Sequence, residues 1–542
     1  MSLEEKKDEK KITFEIKKPE IIVLLIFLAV VLFLELRVTL NTPISFGDEG
    51  FHTRMAQWIA ENKEYPVWVP FEGTNLQQTG FGRPPVWNLL EAGFSFVFGF
   101  HESIIKFLTP FIAVLSGAAL FLLIKKLYNN EKVALIASII FVAVPSVVTY
   151  SVLFYTDVLY TFYFLLFVLT FILAIKSGEK KYWIVSAVFG ALSFLSKTTG
   201  YAVYIFVVFA FIYQLIKERK LAPLLKKYSV WILISLVILG TFFVRSFFYY
   251  KTPDCSLPLP LFKSNECTID NFQAKYQFAG RTEQAGTEVS PMAMGIMNFL
   301  SFVYGNIWFI VFGFVAGLIL MFLRRNDVDI LILIALITII FILIQASSRA
   351  EDTSRYMLGW APIVALIAGT FFDEVYNFIK KYQKYLALGV FVVVIVLACI
   401  SLRDKLNTMF QVKQFSSLFF ESCNWIKENT PKDSLIFTVW SYRTAYSCQR
   451  NAVGNFADMS LSRDLNYTLS VTKEQNINYI FIQKFSIDYQ NQHLQESYDL
   501  DFVQFLENDT QHFKNVYENG PSLEDCIQQG GCDGNIVYEI VY

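Results

Sequence analysis

The sequence has few histidines, no excess of basic residues and no long polar linker, and each absence excludes a class of function. Its 542 residues include only 4 His, which leaves few imidazole ligands for a metal site. With 46 Lys and Arg against 47 Asp and Glu, the net charge of −1 offers no basic surface for nucleic acid. No repeat of solenoid length and no low-complexity linker is present. We therefore expect no nucleic-acid partner.

Apolar residues dominate the chain. They make up 54% of it, with 54 Phe, and they occur in runs long enough to cross a bilayer. This pattern predicts a polytopic α-helical membrane protein, integral to a cell membrane or an ER-type membrane, with about eleven spans. We place the spans near residues 21–40, 104–124, 133–150, 157–176, 183–196, 200–216, 230–250, 299–322, 329–346, 356–372 and 386–402.

Charge asymmetry predicts the orientation of these spans. The tail 1–19 is rich in Lys and lacks a cleavage signal, so the first span is retained and the N-terminus is cytoplasmic. The segment 20–402 then forms the membrane domain, with a first outer loop 41–103 and a central outer loop 251–298. The segment 183–196 is short for a hydrocarbon layer of about 30 Å, so we expect it to tilt or to begin earlier.

The region 403–542 is polar and is predicted to be an extracytoplasmic α/β domain. We predict helices at 415–429 and 502–517 and strands at 434–439, 479–482 and 535–542. It has no Gly-rich phosphate loop, which favours acceptor recognition or scaffolding over nucleotide binding.

Six of the seven cysteines fall in segments assigned to the outer side, and Cys399 lies in a span. The even number suits disulfides in an oxidising compartment. The simplest pairing is Cys255 with Cys267, Cys423 with Cys448 and Cys526 with Cys532. A zinc site is the competing interpretation, although the spacings match no ligand pattern.

Two adjacent acids, Asp48 and Glu49, follow the first span at its outer end. Desolvating two carboxylates is costly, so we expect them to face water or a polar cleft. One interpretation is that Asp48 caps a helix running from about Glu49 to Glu61. The other is a reaction centre, and we place the candidate site here.

Further motifs follow the acid pair in order: Arg83 before Pro84-Pro85, Tyr155-Thr156-Asp157 at the outer start of the fourth span, Lys197 within Leu195–Gly200, and Arg355-Tyr356 with Pro362. With them, residues 20–402 resemble the C-type (GT-C) polytopic membrane glycosyltransferase superfamily. The most similar branch contains the dolichyl-phosphate-mannose protein mannosyltransferases and the aminoarabinose transferase.

The resemblance implies a GT-C-like fold and a hexosyltransferase activity. The donor would be a sugar, with mannose as the family default, on a polyprenyl or dolichyl phosphate, and the acceptor a protein, glycan or lipid at the outer face. Asp48 would be the general base that takes the acceptor proton. Glu49 would orient a loop or a sugar hydroxyl, and the two acids could exchange these roles. No cofactor is predicted, and the need for a metal is left open.

The leaving phosphate needs cations, and the outer-face candidates for contact with it are Arg83, Lys197, Arg245 and Arg355. Lys197 and Arg245 could instead snorkel to the interface, and Arg355 could pair with Glu351 or Asp352. Asp157 stands where the family keeps an acid facing the first one, although it could simply mark the membrane boundary. His52, by packing or acceptor contact, and Tyr356 complete the substrate-binding set.

Two departures from the family limit the prediction. The loop 251–298 is too short for the β-trefoil insert of the protein-modifying branch, which leaves the acceptor open. Trp440-Ser441-Tyr442 resembles part of the Trp-Trp-Asp-Tyr-Gly motif of oligosaccharyltransferases, but the Asp and Gly are absent and we interpret the match as incidental. The alternatives are an oligosaccharyltransferase-like enzyme and a secondary transporter, whose charges should lie near mid-membrane in two related halves.

Overall fold

The computed structural model describes residues 19–44, 47–71, 84–250, 308–338, 353–413, 417–454, 465–489 and 497–542. Up to residue 413 the regular structure is helical. In chain order the helices are α1 (Pro19–Leu40), α2 (Gly47–Asn62), α3 (Val86–Phe98), α4 (Glu102–Tyr128), α5 (Glu131–Ala143), α6 (Pro145–Val152), α7 (Thr156–Ser177), α8 (Lys180–Ser196), α9 (Ala202–Glu218), α10 (Leu221–Tyr250), α11 (Trp308–Arg324), α12 (Asp327–Ile337), α13 (Thr353–Tyr356), α14 (Ala361–Lys380) and α15 (Lys384–Val412).

The chain is an integral membrane protein. Among the described residues, seven helices are long and apolar enough to cross a bilayer, and α5 with α6 forms an eighth candidate that bends by 57°. A helix lies at each predicted span wherever the structure describes it. The short predicted span 183–196 is part of α8, which begins earlier, at Lys180. The total of eleven spans stays a prediction.

The bend between α5 and α6 follows from one proline. Pro145 is the first residue of α6, where its missing N–H costs nothing and its fixed φ suits the start of a helix. The residue before it, Val144, is extended, with φ −60° and ψ 125°, as a residue before proline prefers. α6 therefore leaves the axis of α5 and delivers the next turn, residues 153–155, to the start of α7.

Aromatic packing fixes α7 in the bundle. Phe164, Phe167 and Phe171 recur at helical spacing and are fully buried. Their rings contact rings of three other segments, those of Trp360, Phe206 and Trp231 respectively. Such ring pairs contribute about 0.5–1.5 kcal/mol each beyond area burial. The first turn of α7, which carries Asp157, is therefore held by a rigid helix.

The first loop contains the predicted helix, α2, with Phe51, Met55 and Ile59 buried at intervals of four residues. Asp48 lies inside the first turn of α2 and not one residue before a helix that starts at Glu49. The structure therefore places Asp48 within the helix that it was predicted to cap. An acid in the first turn still interacts favourably with the helix dipole.

The C-terminal region is an α/β domain. Its described elements are α16 (Ser417–Asn429), β1 (Leu435–Phe437), α17 (Ser441–Ser447), β2 (Asn451–Val453), α18 (Leu465–Glu474), β3 (Ile477–Gln483), β4 (Ile487–Asp488), β5 (Tyr498–Asp499), α19 (Leu500–Asn508), β6 (Phe513–Asn519), α20 (Leu523–Gln529) and β7 (Asn535–Ile540). Five strands form one sheet of order β2-β1-β3-β7-β6. β1 pairs parallel with β2 and β3, whereas β7 pairs antiparallel with β3 and β6. A separate pair, β4 with β5, is parallel.

Two of the three predicted disulfides, Cys423–Cys448 and Cys526–Cys532, are present in this domain. The third, between Cys255 and Cys267, and the whole central loop lie outside the described residues. The predicted strands are confirmed, as is the helix at 415–429 over its described part, Ser417–Asn429.

The predicted helix 502–517 is wrong in its second half. α19 ends at Asn508, and after a turn in which Phe513 N donates to the carbonyl of Asp509 the chain enters β6. β6 pairs with β7, so the sheet determines the conformation of a stretch whose own apolar spacing is ambiguous.

Glycines allow α11 to approach α14 closely. A Cβ at Gly317 would lie 2.1 Å from the carbonyl oxygen of Ile367, and one at Gly313 would lie 2.7 Å from the ring of Phe372. Small residues that let helix backbones meet are typical of packing between membrane helices. At Gly389 on α15, by contrast, an added Cβ would meet nothing within 4 Å.

We expect Gly317→Ala to destabilise the bundle by about 1–3 kcal/mol, because the added methyl group overlaps a backbone atom that cannot move aside. Gly389→Ala is the matched control, since it adds the same methyl group to a helix without a clash. Thermal unfolding of the detergent-solubilised protein measures both. Equal melting temperatures for the two variants would show that α11 and α14 are not in this contact.

Candidate active site

Four charged side chains from distant parts of the sequence form one network, which we call the charge cluster: Asp48, Asp157, Lys197 and Arg355. Arg355 Nη1 lies 2.6 Å from Asp48 Oδ2, and Arg355 Nε donates to Asp157 Oδ2 at 2.9 Å. Lys197 Nζ forms an ion pair with the other oxygen of Asp157, Oδ1. One guanidinium therefore joins the two acids, and the lysine neutralises the far side of the second.

Each member of the charge cluster comes from the end of a helix. Asp48 and Asp157 occupy the first turns of α2 and α7, where the helix dipole favours a carboxylate. Lys197 is extended, with φ −154° and ψ 141°, and ends α8. Arg355 lies in the single turn α13. Helix ends leave these side chains clear of the apolar helix faces while keeping their backbones fixed.

Burial makes the pairing in the charge cluster obligatory. Asp157 is fully buried and Lys197 is 8% exposed, whereas about a fifth of each of the Asp48 and Arg355 side chains is accessible. An unpaired charge at such a position would cost several kcal/mol. The Asp157 carboxylate is stabilised by two cations, and the partly accessible pair Asp48–Arg355 forms the open side of the cluster.

Arg355 remains charged in this setting. Burial alone would lower the pKa of its guanidinium, but the neighbouring Asp157 and Asp48 carboxylates raise that pKa well above its ordinary value. Two aromatic faces add to this: Arg355 lies 4.3 Å from the centre of the Tyr155 ring, and Lys197 lies 4.6 Å from that of Tyr356. Tyr356, a predicted substrate-binding residue, thus lines the cluster.

Glu49 points away from the charge cluster. It is fully buried, its Oε1 lies 2.8 Å from Lys413 Nζ, and the same oxygen accepts the N–H of Phe154 at 2.9 Å. Successive residues of a helix do not face the same side, so Asp48 and Glu49 meet different partners. Glu49 thus contacts the turn before α7, and its predicted role in orienting a loop or a sugar hydroxyl stays a prediction. Sequence reasoning missed Lys413, which follows the last span like an ordinary solvated lysine.

His52 and Arg245 belong to a second network. His52 Nδ1 lies 2.6 Å from Asn88 Oδ1, and Asn88 Nδ2 donates to the hydroxyl of Tyr65 at 3.1 Å. Arg245 Nη2 donates to the backbone carbonyl of Tyr65 at 2.6 Å, and its guanidinium also lies over the rings of Tyr65 and Tyr249. These contacts join α2, α3 and α10, and they differ from those of Lys197 and Arg355. The predicted roles of His52 and Arg245 at the substrate stay predictions.

Other predicted features lie outside the described residues. These are Arg83 and the alternative partners of Arg355, Glu351 and Asp352. Within the part of the chain that the structure describes, no group of three or more His, Cys, Asp or Glu side chains is arranged to hold a metal ion.

The C-terminal domain packs directly on the helix that carries Asp48. A Cβ at Gly50 would lie 2.7 Å from the carbonyl oxygen of Tyr442, so only glycine permits this approach of α2 to α17. The Tyr442 ring also contacts Phe51, with ring centres 5.0 Å apart. The stretch Trp440-Ser441-Tyr442, whose match to the oligosaccharyltransferase motif is predicted to be incidental, thus lies beside the candidate site.

A small apolar pocket lies between α4, α7 and the residues at and just before the start of α14. It is lined by apolar residues and glycine: Leu120, Phe164, Leu165, Val168, Leu169, Gly359, Pro362 and Ile363. Its free space of about 10 Å³ is roughly that of one water molecule, so it is too small to hold a hydrocarbon chain.

Glu91 is a fully buried acid on α3. Both of its carboxylate oxygens are buried, beside the indole of Trp87. Burial raises the pKa of Glu91 well above its ordinary value, more than the neighbouring Trp87 indole lowers it. The carboxyl group is therefore protonated in the folded protein at a pH where it would be ionised in the unfolded chain.

Comparisons with known proteins agree on one architecture. The model of the dolichyl-phosphate-mannose-protein mannosyltransferase family matches residues 82–245. The archaeal oligosaccharyltransferase AglB from Archaeoglobus fulgidus, in complex with an inhibitory peptide and a dolichol-phosphate, is 14% identical with a TM-score of 0.61, over 85% of this chain and 69% of that one. ArnT from Cupriavidus metallidurans bound to undecaprenyl phosphate is 11% identical with a TM-score of 0.64, over 96% of this chain and 98% of that one. No curated protein matches in sequence.

We expect Glu91→Gln to change how stability depends on pH. Because the folded state holds this proton above the ordinary pKa of Glu, the unfolded state binds fewer protons in that range, and wild-type stability should fall as pH rises. Above about pH 5, the free energy of unfolding of the wild type should fall relative to that of Glu91→Gln, with a slope that approaches about 1.4 kcal/mol per pH unit.

Thermal unfolding of both proteins between about pH 5 and pH 8 measures this difference. Glu64→Gln is the control, since Glu64 is exposed. A constant difference between wild type and Glu91→Gln across the range would contradict the burial of Glu91.

Proposed function

The chain has the fold of the C-type (GT-C) membrane glycosyltransferases, and on that premise we propose that it transfers a sugar from a polyprenyl-phosphate donor to an acceptor at the outer face of the membrane. The observation that carries the proposal is that Asp48 and Asp157, from α2 and α7, both bind Arg355. A carboxylate and a cation thus lie together at the accessible side of a buried cluster, which is the pairing that this reaction needs.

In the proposed reaction an acceptor nucleophile, such as a hydroxyl oxygen, bonds to the anomeric carbon of the donor sugar. The bond between that carbon and the phosphate oxygen breaks, and its electron pair stays on the phosphate. Asp48 takes the proton that the acceptor loses, acting as general base. The products are the glycosylated acceptor and the polyprenyl phosphate.

Arg355 and Lys197 are the proposed contacts of the leaving phosphate. Fixed cations aimed at the oxygen where charge develops lower the barrier without reorganisation. Asp157 holds both cations through its two oxygens, so its role is to position them. Arg245 stays a further candidate, and Tyr356 would contact the substrate beside Lys197.

A polyprenyl phosphate is the proposed lipid carrier of the donor sugar. Two structures of the same fold were solved with such lipids, AglB with a dolichol-phosphate and ArnT with undecaprenyl phosphate. A dolichyl-phosphate-linked hexose, with mannose as the first choice from the matching family model, is the donor to test.

The acceptor would be a protein, a glycan or a lipid, recognised in part by the C-terminal domain. A second candidate, an oligosaccharyltransferase-like reaction, is favoured by the contact of the Trp440–Tyr442 stretch with α2 and by the fold shared with AglB. It differs in using a lipid-linked oligosaccharide, so the two candidates separate when a single-sugar donor and an oligosaccharide donor are compared.

We expect Asp48→Asn to lower sugar transfer by about 10²- to 10⁴-fold, because the amide cannot accept the proton of the acceptor. The measurement adds each variant to membranes that otherwise lack this protein. It follows the transfer of sugar from radiolabelled dolichyl-phosphate mannose to the acceptors in those membranes. Asp404→Asn, at an exposed position on α15, is the matched control. Undiminished transfer by a folded Asp48→Asn protein would reject Asp48 as the base.

We expect Lys197→Met to weaken donor-phosphate binding by about 10- to 100-fold, the loss typical of a charge-assisted hydrogen bond. The probe is dolichyl phosphate, and the measurement is the rise in melting temperature that it produces. Lys427→Met, at an exposed site, should keep the full rise, and Arg245→Met tests the other candidate cation. If Lys197→Met keeps the full rise as well, Lys197 serves only to neutralise Asp157.

A further inference from the structure

We propose that Lys413 is a positioning residue, which through Glu49 sets the relative placement of Asp48 and Asp157. This inference rests on the proposed function, in which both acids belong to the site. Lys413 acts on the two acids through Glu49 and through the turn that precedes α7. Its Nζ lies 2.8 Å from Glu49 Oε1 and donates to the carbonyl of Val152 at 3.0 Å.

The Glu49–Lys413 pair holds both ends of the turn between α6 and α7. Lys413 binds the carbonyl of Val152, the last residue of α6, and Glu49 accepts the N–H of Phe154. The turn continues directly into Tyr155, whose ring lies against Arg355, and then into Asp157. A shift of this turn would therefore move Asp157 and the face that supports Arg355.

The same pair fixes the first turn of α2. Asp48 and Glu49 are consecutive, so the direction of the Glu49 side chain determines the rotation of α2 about its axis. With Glu49 held by Lys413, Asp48 is aimed at Arg355. The positions of Asp48 and Asp157 thus both depend on the ammonium group of Lys413.

Lys413 also occupies the junction between the two parts of the chain. It immediately follows α15, the last helix of the membrane part, and the C-terminal domain begins with α16 at Ser417. In that domain, Tyr442 contacts Gly50 of α2, the residue that follows Glu49. A displacement of the C-terminal domain would therefore reach Asp48 by two routes, through the backbone contact at Gly50 and through the ammonium of Lys413.

Burial makes the Glu49–Lys413 pair specific. Glu49 is fully buried and Lys413 is 2% exposed, so each stabilises the charge of the other, and removing one leaves a buried charge that is less well compensated. Removing both charges relieves that cost but leaves the turn and α2 without their common anchor. Stability and catalytic rate should therefore respond differently to the single and double substitutions.

The test compares Lys413→Met with Glu49→Gln/Lys413→Met in transfer from dolichyl-phosphate mannose, with Lys427→Met as the control. We expect kcat to fall about 10- to 100-fold in both, as for a misplaced catalytic group, while the KM for the donor changes by less than about threefold. The double variant should regain melting temperature without regaining kcat. If kcat recovers along with the melting temperature, the pair is only structural and the proposal is overturned.

A second measurement does not depend on activity. Hydrogen exchange should become faster in Lys413→Met in peptides covering 47–53 and 152–157, with β1 and β3 of the C-terminal domain unchanged. Unchanged exchange in both peptides would overturn the proposal. If the wild-type protein transfers no sugar from the donor, the proposed function fails, and the exchange result alone decides whether Lys413 positions the two segments.

Discussion

The site depends on the cost of burying one carboxylate. Asp157 lies fully buried at the start of α7, and a charge there is tolerated only when cations are brought to it. Lys197 and Arg355 come from the end of α8 and from α13, and each takes one oxygen of Asp157. The requirement to neutralise a single side chain thus fixes several segments relative to one another.

The same requirement prepares the site for chemistry. The charge cluster contains two acids and two cations, so it is balanced before any substrate binds. A phosphate placed beside Arg355 and Lys197 adds negative charge, and on our proposal it competes with Asp48 for the guanidinium. Asp48, which is partly accessible, then shares Arg355 with the phosphate and becomes a better proton acceptor, whereas buried Asp157 keeps both cations in place. Donor binding would in this way activate the base.

Local patterns in the sequence predicted much of this architecture. Apolar runs predicted where helices lie, the predicted helix from about Glu49 to Glu61 corresponds to α2, and cysteine parity predicted two disulfides that are present. The short motifs around Asp157, Lys197 and Arg355 indicated residues that the structure does bring together. Such motifs succeed because helix ends place polar side chains at one level of a bundle.

Contacts that arise only from the tertiary fold could not be predicted in this way. The stretch 502–517 has apolar residues at spacings compatible with a helix, and only its pairing with β7 makes the second half a strand. Arg245 has the same local signature as Lys197, a cation at the end of a span, yet it contacts Tyr65. Lys413 carries no signal at all, because its partner is an acid far away in the sequence.

Asp48 and Glu49 are adjacent in the sequence, so their spacing does not distinguish their roles, but the fold gives them different partners. On an α-helix, consecutive side chains point about 100° apart, so no single partner can serve both Asp48 and Glu49. Asp48 pairs with the partly accessible Arg355 and so lies at the open side of the site. Glu49 pairs with the buried Lys413 and is removed from solvent. A buried carboxylate that already accepts an N–H and an ammonium is poorly placed to receive a proton from an acceptor. The partners that the surrounding helices supply are therefore the reason that we propose Asp48 as base and Glu49 as anchor.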